Sequence, residues 1–121
     1  MGQIALLDID PVGAKVTESK ILEVSKDIEV LVVTANFSKE ASIANAVAQV
    51  VDKFKLINNA IKNVGFGGPL VPLTAISDQD FSSVLDLNLK GQWLERREEI
   101  KQMLEQESLD DKYFPLCRFP E

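Results

Sequence analysis

Histidine is absent from the 121 residues, and cysteine occurs once, at Cys117. Without an imidazole, neither a Ser-His-Asp nor a Cys-His nucleophile can be assembled, and one cysteine leaves no ordinary zinc site, so no metal ligands are assigned. A single cysteine cannot close an internal disulfide, which points to a reducing compartment. There is no apolar run of about 18 residues and no charged-then-apolar leader, so a membrane is excluded as a partner and a cytoplasmic location is expected. Aromatic residues are scarce, at 7% of the chain. The basic residues are scattered, and 13 of them against 19 acidic ones leave a net charge of −6. A field of that sign repels phosphate backbones, which excludes nucleic acid. Any chemistry must therefore come from carboxylates, lysines, hydroxyls or a bound cofactor.

What is present is an ordinary globular composition, 45% apolar and 26% charged, of a length that holds one domain at most. Ile4–Leu7 is a short apolar run ending in Asp8-Ile9-Asp10 and reads as a strand. Asp10-Pro11 is a helix start, carboxylate cap before first-turn proline, for a helix reaching about Lys26. Ile28–Val33 is β-branched and apolar, a strand buried on both faces. Ser38 then caps a helix from about Lys39 to Phe54, in which Ile43, Val47, Val50 and Phe54 share one face.

Leu56–Ile61 reads as a third strand, and residues 62–76, with three glycines and two prolines, as a loop. Ser77 with Asp80 forms the pattern of a capping box, followed by the stripe Phe81, Val84, Leu85, Leu89. Gly91 marks a break or a close-packing point before a second helix, in which Trp93, Ile100, Met103 and Leu104 share a face and the polar residues between them face water. Periodicity stops after residue 107, which divides the chain into a domain over 1–107 and an irregular tail over 108–121. Apolar strands alternating with helices imply a parallel sheet. The expected class is α/β, a partial Rossmann-like parallel sheet of about three strands with flanking helices.

In this order the features resemble a short-chain dehydrogenase/reductase from its second strand to its fifth helix. Four motifs carry the resemblance. Leu7-Asp8-Ile9-Asp10 matches the acidic end of the second strand, and implies that Asp8 accepts hydrogen bonds from the adenosine ribose, favouring NAD over NADP. Thr34-Ala35-Asn36-Phe37-Ser38 stands where the family carries Asp-Val-Ser or Asp-Val-Thr. It implies that Asn36 meets the adenine amino group and that Phe37 borders the adenine slot. The gapless register places the family's Asn-Asn-Ala-Gly turn on Lys62-Asn63-Val64-Gly65 and leaves Asn58-Asn59 inside the strand. Asn63 then braces the neighbouring strand, Gly65 lets the backbone approach the nicotinamide ribose, and Lys62 brings a charge that needs to reach solvent. Leu87-Asn88-Leu89-Lys90-Gly91 matches the helix whose asparagine belongs to the family's catalytic group, which assigns that place to Asn88.

The resemblance implies an oxidoreductase acting on an alcohol or carbonyl with a nicotinamide cofactor. It also implies a first strand and a glycine-rich phosphate turn ahead of Asp8, and a Tyr-x-x-x-Lys pair after the last helix. Neither motif is in these residues: the one tyrosine, Tyr113, is followed four positions on by Cys117. The chain is accordingly expected to be truncated relative to the family, with cofactor and small-molecule substrate held only when the other segments are supplied. The alternative is a non-catalytic remnant that associates, as a homo-oligomer, through helices 77–90 and 92–107.

Overall fold

The computed structural model describes residues 2–106; the tail expected over 108–121 lies outside them. Strand β1 (Gly2–Asp8) and strand β2 (Ile28–Thr34) pair in parallel, in a register running from Gly2 opposite Ile28 to Asp8 opposite Thr34. Helix α1 (Pro11–Val24) connects them. It begins as expected: Asp10 is the cap, its carboxylate accepting from the Val12 amide, with proline in the first turn. Helix α2 (Glu40–Phe54) follows β2 and buries Ile43, Val47, Val50 and Phe54, the face expected from their spacing. Ser38 does not cap it. The cap is Lys39, and the Ser38 amide and hydroxyl both donate to the Asn36 side-chain oxygen, at 3.0 and 2.7 Å.

The expected third strand does not form. The sheet has two strands, and residues 56–61 run without regular structure. A strand needs a ladder, because unmet peptide groups carry a desolvation cost. Among the described residues, the backbone of this stretch is met by a side chain instead. Gln106 accepts from the Ile57 amide at 2.9 Å and donates to the Ile57 carbonyl at 2.7 Å. Ile61 is 90% exposed. The same openness reaches β2, where burial on both faces was expected: Val33 is buried and Ile28–Val32 are half-buried.

Helix α3 (Asp78–Leu85) opens with the expected capping box, Ser77 and Asp80 bonding reciprocally. It runs through a π-helical turn (Asp86–Gly91) straight into helix α4 (Gln92–Glu105). Gly91 is thus a close-packing point and no break: a Cβ there would run into the Phe37 carbonyl oxygen. The core gathers Val33, Ala35 and Phe37 at the end of β2, Ile43 and Ala46 of α2, and Leu94 of α4.

The orientation of α4 reverses the expected one. Its buried residues are Leu94, Glu95 and Glu99, whereas Trp93, Ile100 and Leu104 are 58%, 46% and 59% exposed and Met103 is half-buried. The reason is Lys62, which enters from the loop before α3 and whose ammonium lies against both glutamates, 3.2 Å from Glu95. A buried cation requires buried carboxylates, and that demand sets the rotation of the helix.

Candidate functional site

A cleft of about 1290 Å³ opens along β1, between its free edge and the extended residues 56–66, over a floor that includes Val47, Val50 and Phe54 of α2. Its upper end lies at the carboxyl ends of both strands, where open α/β sheets hold ligands. The five residues expected at a cofactor, Asp8, Asn36, Phe37, Asn63 and Gly65, all border this one cleft. Sequence positions spread over 58 residues are thereby brought to one place.

Asp8 ends β1 with its side chain exposed, and one carboxylate oxygen accepts from the Asp10 amide at 2.9 Å. The other remains available to a hydroxyl. At Asn36 the carbonyl oxygen is already committed to the amide and hydroxyl of Ser38, and its own backbone amide donates to Ser42 at 2.8 Å. What the side chain still offers is its NH2 donor. This alters the expected contact: a donor suits an acceptor nitrogen of a purine ring, not its amino group. Phe37 is 4% exposed and belongs to the core while bordering the cleft.

Asn63 and Gly65 are exposed on the opposite wall. A side chain at Gly65 would meet only the Asn88 carbonyl oxygen, at 3.8 Å, so a ligand can approach the backbone there. Asn88, expected among catalytic groups, is bonded to the backbone of the loop. Its amide accepts from the Phe66 amide at 2.8 Å and donates to the Phe66 carbonyl at 2.7 Å. The π turn aims it at the loop, and Gln92 adds a bond from its side-chain amide to the Val64 carbonyl at 3.2 Å. Two side chains of one helical stretch therefore hold the backbone on either side of Gly65.

The third member of that wall was not foreseen. Lys62 does not reach solvent: its side chain is 10% exposed, against 9% for Glu95 and 11% for Glu99. Two glutamates four residues apart on the Leu94 face were the available signal, given that a lysine in apolar surroundings requires partners. Burial pushes the Glu95 carboxyl above its ordinary range, and nearby Lys62 pulls it back only in part. The Lys62 ammonium is engaged by both carboxylates. Among the described residues no group of three or more His, Cys, Asp or Glu could hold a metal, and no helix is long and apolar enough to cross a membrane.

A profile of the short chain dehydrogenases matches residues 3–108. The chain belongs to this family. It is 29% identical over 106 residues to levodione reductase of Leifsonia aquatica, a match covering 88% of this chain and 40% of that protein. It is 33% identical over 109 residues to the CLA biosynthesis dehydrogenase/reductase of Lactiplantibacillus plantarum, covering 90% and 37%. Among solved structures, NAD+-bound xylitol dehydrogenase superposes with a TM-score of 0.78 at 26% identity, over 84% of this chain and 38% of that one. The chain thus spans about 40% of the length of the curated relatives it matches.

Proposed function

We propose that the chain forms the adenosine and nicotinamide-ribose walls of an NAD(H) site, as part of an oxidoreductase acting on an alcohol or carbonyl. The observation that carries this reading is the meeting of Asp8, Asn36 and Asn63–Gly65 at the carboxyl end of one cleft in a short chain dehydrogenase. The residues suit such a group. A carboxylate with a free oxygen accepts from vicinal hydroxyls and repels a 2′-phosphate, which selects NAD over NADP. Gly65 admits the backbone to a ribose, and Asn88 with Gln92 fixes the loop that presents it. The cofactor supplies hydride transfer when bound. The described residues bind and orient; none is placed to deliver a proton to a carbonyl. Calorimetric titration with NADH and NADPH tests this. NADH is expected to bind at least about tenfold more tightly, and Asp8→Asn to erase the difference by removing the repulsion. Equal binding of the two by the unaltered chain refutes the reading.

The outward stripe of α4 supports a second reading, self-association as a homo-oligomer. Phe81, Leu89, Trp93 and Leu104 are each more than half exposed along the continuous α3–α4 helix. Contiguous apolar surface of this kind marks contact with another molecule. Light scattering should show a mass above that of one chain, reduced to the monomer by Leu89→Lys with Leu104→Lys. A monomer without these changes removes this reading.

A further inference from the structure

The polar residues that α4 turns inward continue a stripe begun in the π turn before it. Asn88, Gln92, Glu95 and Glu99 follow one another at intervals of four, three and four, the spacing of a single helical face. Each holds a point of the extended loop opposite: Asn88 the Phe66 backbone, Gln92 the Val64 carbonyl, and the two glutamates the Lys62 ammonium. Residues 62, 64 and 66 are thus tied to the helix, and Asn63 and Gly65, which alternate with them, are exposed at the cleft. The amide side chains of Asn88 and Gln92 do not titrate, so their ties are the same at every pH. The Lys62 tie is ionic and about nine-tenths buried, and a single proton on a glutamate weakens it.

We propose that Lys62 is a positioning residue whose ties to Glu95 and Glu99 set the place of the Asn63–Gly65 wall. The wall is drawn onto α4 when Glu95 is ionised and slackens when Glu95 takes up a proton. The ligand affected rests on the cofactor reading above: affinity for the nicotinamide nucleotide falls as pH falls, through the wall that meets its ribose. Glu95 is the switching group, because burial already pushes its carboxyl above its ordinary value against the pull of Lys62. As pH falls through that raised value the Glu95 charge is lost, and Lys62 is left with Glu99 alone. The charged groups acting on Glu95 are Lys62, Glu99 and Arg96. Helix α2, packed on α4, meets it with an apolar face, and its Glu40 is engaged by Arg97. Residues 56–61 carry no ionisable side chain, and Asp8, Lys39 and Asp86 are the other charged residues bordering the cleft.

The first arm of the test needs no ligand. The Asn63, Val64 and Gly65 amides of the whole chain are followed by NMR from about pH 4.5 to 8, together with the Glu95 side-chain carboxyl carbon. The three amides are expected to shift with the midpoint of that carboxyl, and to lose this step in Glu95→Gln, which keeps Lys62 on Glu99. A chain without the step, or Glu95→Gln with the step unchanged, overturns the proposal. The second arm is calorimetric titration with NAD+, which withstands acid, at both ends of that range. Affinity is expected to fall about tenfold from the alkaline to the acid end in the unaltered chain, and to stay near the acid-end value throughout in Glu95→Gln. Lys62→Arg, which keeps the cation, should keep the fall. The same pH-dependence in the unaltered chain and in Glu95→Gln overturns the proposal. Failure of every chain to bind NAD+ refutes the cofactor reading instead, and the amide step then decides the positioning role by itself.

Discussion

Replacing Lys62 by methionine keeps most of the aliphatic stem and removes the cation from between Glu95 and Glu99. All three side chains are about nine-tenths buried, so solvent cannot take over the lost role. Removing one partner of a buried ion pair typically costs about 3–5 kcal/mol, and here two carboxylates are left together. The loss has a limit, because each carboxylate can escape by binding a proton. The Glu95 carboxyl, already raised by burial, loses the lowering effect of Lys62 and should titrate still further above its unfolded value in folded Lys62→Met. A raised folded value gives stability that is complete below the unfolded value and is lost as pH rises through the folded one. With one extra proton held by the native state, stability should fall by up to about 1.4 kcal/mol per pH unit within that window. Urea unfolding followed by circular dichroism, at intervals from pH 4.5 to 8, reads this directly. The expected result is a destabilisation of about 3–5 kcal/mol at pH 7 that shrinks as pH approaches 4.5. A loss below about 1 kcal/mol, or one that does not change with pH, would refute the buried triad.

Three other outcomes follow from named contacts. Burial raises the Glu95 carboxyl, so its contribution is present at low pH and lost as pH rises; Glu95→Gln should flatten that part of the stability profile, with Lys62 still held by Glu99. Gly91→Ala drives a methyl group into the Phe37 carbonyl and should destabilise by about 3 kcal/mol, seen as a lowered melting temperature. Asn88→Ala removes both bonds to Phe66 and should cost about 1–2 kcal/mol, with faster exchange of the Phe66 amide while the α2 amides are unchanged.

What could be read from the residues alone were the features fixed by local chemistry. The Asp10-Pro11 start, the Ser77–Asp80 box and the Ile43–Phe54 face depend on near neighbours, and each stands where expected. So does the parallel pairing of two apolar strands separated by a helix. The departures all depend on distant partners. Leu56–Ile61 has strand composition, but composition does not supply a ladder, and Gln106, 49 positions from Ile57, takes that place. The facing of α4 was misread because its apolar stripe is a sound helical pattern. Lys62, 33 positions before Glu95, outweighs that stripe through the desolvation cost of an unpaired charge. At the site, the motif order carried the expectation for Asp8, Asn63 and Gly65, and these three border one cleft. That Asn36 spends its acceptor on Ser38, and Asn88 its amide on Phe66, depends on side-chain geometry that no spacing reveals.

The central question for this chain is whether the upper end of the cleft meets a nicotinamide nucleotide. Two-dimensional 1H–15N spectra of the chain titrated with NADH detect even millimolar binding. Saturable shifts are expected at Asp8, Asn36, Asn63 and Gly65, smaller ones with NADPH, and none along the outward stripe of α4. Spectra in which those four amides do not move, or move no more than the exposed face of α4, would contradict it.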